Sequence, residues 1–177
     1  AIGFGWDARA TLWTAHARAT RAGAALAELA ALLRRIAPQR RLQVIAHSLG
    51  ARVALAALQR AAPGDIARLV LLAAAEARET AQAAMASPAG RLAEVINVTT
   101  RENDLFDFLF EWLILAGGDT ALGQGLGLDL PNWRDLRIDQ PGTLAVLARL
   151  GHALPPPRGR VSHWSPYLRP GAFGLYR

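Results

Sequence analysis

An α/β layered domain, with a mostly parallel central sheet and helices on both faces, follows from three features of the chain. Short β-branched, apolar runs alternate with longer segments of helical period. Those runs are apolar on both faces, as strands are when helices cover both sides of a sheet. The connections between them are long enough to return to the same edge, which parallel pairing requires. The 177 residues suit a single domain, 1–177, and 52% hydrophobic with 19% charged residues describes a packed interior.

Each element has its own local reason. Ala1 to Trp6 is apolar and Gly-spaced, the pattern of a buried strand end. Thr11 to Ile36 places Leu26, Leu29, Leu32, Leu33 and Ile36 at helical spacing and stops before Pro38. Leu42 to Ala46 reads as a buried strand and Leu49 to Ala62 as a helix, closed by Pro63-Gly64. Ile66 to Ala73 is a second such strand, and Ala75 to Met85 is helical. Glu94 to Thr100 alternates β-branched residues and forms a third strand. Leu105 to Leu115 is an apolar helix, followed by a Gly-rich loop. Leu136 to Asp139 is a short extended piece. Pro141 opens a helix that Gly151 closes. Arg160 to Ser162 is expected as a last strand, before an irregular tail.

Composition excludes several function classes. The chain has no cysteine, which removes disulfides, Cys-ligated zinc and thiol catalysis. Its net charge of +6 comes from twenty basic residues that are all Arg, scattered singly or in pairs. A phosphate-tracking surface clusters them and interleaves aromatics, so no nucleic-acid partner is expected. No apolar stretch reaches the roughly 18–20 residues of a membrane span. With no leader in the given chain, the expected compartment is the cytoplasm. No His and carboxylate grouping has metal-ligand spacing, and neither metal nor cofactor is expected. Gly123 to Gly127 follows no strand and opens no clear helix, so it reads as a flexible loop rather than a phosphate cradle.

Chemistry concentrates at Val44-Ile45-Ala46-His47-Ser48-Leu49-Gly50-Ala51. A buried strand runs straight into a helix with Ser48 at the corner. Small residues two positions to either side, Ala46 and Gly50, let strand and helix approach. The corner puts the hydroxyl beyond the carboxyl end of the sheet, and the helix N-terminus offers the Leu49 amide to an oxyanion. The segment resembles the nucleophile elbow of the α/β-hydrolase superfamily, in the His-Ser-Leu-Gly form of lipases and esterases, with Ala46 where the first glycine of G-x-S-x-G stands.

That resemblance implies a chain order of nucleophile, acid and base. The acid belongs just past a strand beyond the elbow, where Arg101-Glu102-Asn103-Asp104 follows Glu94 to Thr100. Asp104 fits best and Glu102 is the nearest alternative; Asp107 pairs with Glu111 along the following helix. Of four histidines, His16 lies upstream of the elbow, His47 precedes the nucleophile, and His152 sits beside a helix-ending glycine. His163 lies near the chain end, where the family's base lies. Its surroundings, Ser162-His163-Trp164-Ser165-Pro166-Tyr167, also resemble a bacterial branch of uncharacterised α/β-hydrolases.

The implied site is therefore Ser48, Asp104 and His163, with Leu49 supplying one oxyanion donor. Trp164 and Phe106 are the substrate-binding candidates, although the Leu105 to Leu113 helix also reads as a core helix. The implied reaction is cleavage of a small-molecule acyl ester. The alternatives are a non-catalytic binding or scaffold domain and an acyltransferase with the same triad. The second oxyanion donor of this fold, often marked by His-Gly, has no counterpart in the chain. The expectation is a domain lacking its first strands and oxyanion loop, or else a second donor from the backbone near Gly5 to Asp7.

Overall fold

A computed structural model describes residues 1–116, 118–157, 159 and 161–176. Four strands, β1 (Gln43–His47), β2 (Arg68–Leu72), β3 (Glu94–Thr99) and β4 (Trp133–Arg137), form one sheet in the order β1-β2-β3-β4. Every pairing is parallel, with Ala46 opposite Leu71 and Leu71 opposite Asn97. Seven α-helices accompany them among the described residues: α1 (Leu12–Ile36), α2 (Gly50–Arg60), α3 (Arg78–Ala86), α4 (Asp104–Phe110), α5 (Pro141–Arg149), α6 (Ser165–Leu168) and α7 (Ala172–Leu175).

The alternation of side chains along β2 divides the core in two. Leu69 and Leu71 pack with α1, α2 and α3 on one face. Val70 and Leu72 pack with Leu147 of α5, Ala172 of α7 and Tyr176 on the other. Helices thus cover both faces, as the strand composition requires. On the first face α1 and α2 approach closely because small residues line the crossing. A Cβ at Gly23 would lie 2.6 Å from Ala56 Cβ and 2.9 Å from the Val53 carbonyl oxygen.

Three elements differ from expectation. Ala1 to Trp6 has no regular structure, although Phe4 and Trp6 still pack against the first core cluster. The fourth strand begins at Trp133 rather than Leu136, since its pairing with β3 runs from Val95↔Trp133 to Thr99↔Arg137. Val161 and Ser162 are not in a strand, Arg160 lies outside the described residues, and the tail instead folds into α6 and α7. No helix of the described residues is long and apolar enough to cross a membrane.

Candidate active site

Ser48 lies between β1 and α2 with φ of 53°, one of three non-glycine residues in the left-handed region among those described. A residue with a Cβ avoids that region unless its surroundings enforce it. Here the Ser48 amide donates to the Leu72 carbonyl at 2.9 Å, and the Ser48 carbonyl accepts from Ala51 and Ala75. Strand pairing on one side and the helix start on the other therefore fix the corner. Ala46 is accommodated: even a Cβ on Gly50 would meet the Ala46 methyl at 3.8 Å, an ordinary contact. The Leu49 amide takes part in none of the described backbone hydrogen bonds outside helices and strands, so it is free to donate.

His163 is held against this corner by three aromatic rings. Its ring centroid lies 4.5 Å from that of His47 and 4.7 Å from that of Phe106, with Trp164 edge-on at 6.2 Å. His47 Nε2 lies 2.9 Å from the His163 carbonyl oxygen. A carbonyl only accepts, so His47 donates there and carries its proton on Nε2. The residue before the nucleophile is thus a bracket for the loop bearing His163.

His163 Nδ1 lies 2.7 Å from Asn103 Oδ1, and Asn103 Nδ2 donates to Asp107 Oδ1 at 2.8 Å. Asn103 is therefore brought to His163, while Asp104, the first residue of α4, is exposed and makes no side-chain hydrogen bond among the described residues. The reason is local. A 3-10 turn over Arg101–Asn103 follows β3 and swings Asn103 inward, leaving Asp104 to open the helix on the outside. Among the described residues Ser48 Oγ has no hydrogen bond, and none links it to His163.

Glu102, the alternative acid, is committed elsewhere. It accepts from Ser165 Oγ and from Arg169 Nη2, the latter at 2.8 Å, with both charged side chains almost fully buried. Its backbone carbonyl accepts from the Ser162 amide at 2.8 Å. These contacts tie the segment around His163 to the end of β3. Glu76, after β2, is likewise satisfied by Arg52, whose Nη1 donates to both carboxylate oxygens at 2.8 and 2.9 Å.

Burial sets the electrostatics. His163 is held near pKa 4, chiefly because burial disfavours the charged ring and secondarily because His47 is close. His47 is lowered by the same burial, opposed by its bond to the His163 carbonyl. Asp107 is raised to about 7, mainly by burial.

A cavity of about 900 Å³ runs along β1 and reaches Ser48 and Leu49. Phe4, Trp6, Leu29 and Val53 contribute apolar wall. Trp164 and Phe106 flank the His163 ring instead and do not line this cavity. The Leu105 to Leu113 helix is no core helix throughout. Phe110 is buried, but Phe108 is 60% and Trp112 is 68% exposed.

Residues 2–113 match the family model described as alpha/beta hydrolase fold. The chain belongs to the α/β-hydrolase family. The match spans the elbow of this α/β-hydrolase and the turn after β3, but ends before His163, whose place beside the elbow is a matter of geometry. No curated protein and no solved structure matches the chain. Among the described residues of the α/β-hydrolase, no group of three or more His, Cys, Asp or Glu is arranged to hold a metal ion.

Proposed function

We propose that the chain hydrolyses a carboxylic acyl ester through an acyl-enzyme on Ser48. The observation that carries this reading is Ser48 in a left-handed conformation on a strand-to-helix corner, with His163 packed against the adjacent His47. Ser48 Oγ attacks the carbonyl carbon and gives its proton to His163 Nε2. The tetrahedral oxyanion takes the Leu49 amide. Collapse expels the alcohol, which receives the proton from His163. Water, activated by the same base, then attacks the acyl-Ser48 ester, releasing the acid and restoring the hydroxyl.

Orientation of the base, the role expected of Asp104, falls in this reading to Asn103, which bonds His163 Nδ1. The apolar wall that Phe4, Trp6 and Val53 give the cavity reaching Ser48 suits the acyl chain. Hydrolysis of a p-nitrophenyl ester series tests the reading. Ser48→Ala and His163→Ala lower kcat by about 10³-fold or more, whereas His152→Ala leaves it unchanged. Full activity in His163→Ala with loss in His152→Ala would overturn the assignment.

A second reading, a non-catalytic binding domain of the same fold, draws on the amide in place of a carboxylate beside His163. It predicts no turnover of any ester by the folded chain. An acyltransferase would reveal itself through capture of the acyl group by an added alcohol.

A further inference from the structure

An asparagine beside a base is an ambiguous orienting group. Its amide oxygen and nitrogen have nearly the same shape, and which one faces the imidazole depends on the other partners. When an asparagine takes the place of the triad aspartate and turns its NH₂ to the imidazole, the ring is driven into the wrong tautomer and kcat falls about 10⁴-fold. In this chain the ambiguity is removed from behind. Asp107 Oδ1 lies 2.8 Å from Asn103 Nδ2, and an ionised carboxylate can only accept. The amide nitrogen must therefore face Asp107, which turns Oδ1 toward His163 Nδ1 at 2.7 Å. A carbonyl oxygen also only accepts, so Nδ1 bears the proton and Nε2 keeps its lone pair.

We infer that Asp107 is a positioning residue, acting through Asn103 to lock His163 in the Nδ1–H tautomer that a base for Ser48 requires. The inference rests on the Ser48 and His163 reading above and extends it by one residue outward. The surroundings are built for the part. Asn103 and Asp107 are 2% and 8% exposed, so water does not compete freely for either group. The Asp107 carboxylate lies against Gly123, where any Cβ would overlap it, so a glycine at this point of the loop leaves the carboxylate its room.

The lock also has a pH range. Burial raises Asp107 to about 7; the Asn103 bond opposes the rise, and Asp104 and Glu111 add to it. Arg101, Arg137 and Asp139 share the cavity of about 370 Å³ that Asp107 lines. Once protonated, Asp107 can donate to the amide oxygen, and the orientation of Asn103 is no longer forced. The lock is therefore complete above neutral pH and loosens below it.

The test is the imidazole ¹⁵N spectrum of the full chain at pH 8, with the His163 signals identified by their loss in His163→Gln. The wild type shows a protonated Nδ1 and a bare Nε2. Asp107→Ala, and the isosteric Asp107→Asn should the first fail to fold, show a mixture of tautomers, with labelling of Ser48 by a fluorophosphonate slowed about 10²-fold. Retention of a pure Nδ1–H form in the folded variant, or labelling at the wild-type rate, would overturn the inference. Failure of the wild type to label would instead count against the Ser48 reading, while the spectra would still decide the relay.

Discussion

Replacing Arg169 with methionine leaves Glu102 as an unpaired charge beneath the His163 segment. In the native chain Arg169 Nη2 donates to Glu102 at 2.8 Å and Nη1 donates to the Ile138 carbonyl at 2.6 Å, with the two charged side chains 4% and 5% exposed. Removing one partner of a buried pair costs about 3–5 kcal/mol, most of it the desolvated charge left behind. In a chain of this size that lowers Tm on the order of 10 °C. Removing both charges together, in Glu102→Gln with Arg169→Met, restores much of the loss, because buried pairs replaced by apolar groups are often near neutral. Thermal unfolding of the two single variants and the double variant gives the coupling directly. Ser162 hangs from the Glu102 carbonyl, so ester turnover of Arg169→Met falls as well. Single variants that melt with the wild type, or a double variant no better than the sum of the singles, would refute the reasoning.

Two further outcomes follow from the site. Ser48→Gly relieves the left-handed backbone at φ 53° and stabilises the fold by about 1 kcal/mol, as read by urea unfolding, while abolishing phosphonate labelling. His163 acquires its proton near pH 4 when folded and near 6.5 when unfolded, with His47 the titratable group packed on it. Below the decline that Asp107 sets near neutral pH, kcat/KM therefore shows a second acid limb near pH 4. Between pH 6.5 and 4 the unfolded chain binds the extra proton, so stability linked to this ring is full above 6.5 and is lost as pH falls toward 4. A wild type that lost no stability relative to His163→Phe over that range would contradict the assignment.

The parts of the molecule legible in the sequence are those set by long-range burial. Val44 to Ala46 running into Leu49 without a loop announced the corner at Ser48. The apolar faces of Leu69 to Leu72 announced helices on both sides. What was not legible depends on one residue of turn geometry or on contacts distant in the chain. Spacing after β3 cannot tell Asn103 from Asp104, since a single 3-10 turn decides which of them faces inward. β4 hides its start because Arg134, Asp135 and Arg137 interrupt any apolar pattern on an edge strand. α6 and α7 span four residues each, too short for a helical period, and the Glu102–Arg169 pair reaches across the fold to Ile138 to hold them. Ala1 to Trp6 has the composition of a strand but pairs with none among the described residues.

The central claim is that Ser48 is an activated nucleophile, and its most direct test is intact-mass and peptide-level mass spectrometry after exposure of the folded chain to a fluorophosphonate. The account predicts a single adduct on the peptide containing Ser48, absent in Ser48→Ala and slowed in His163→Gln. A folded chain that forms no adduct, or forms it equally in Ser48→Ala, would contradict it.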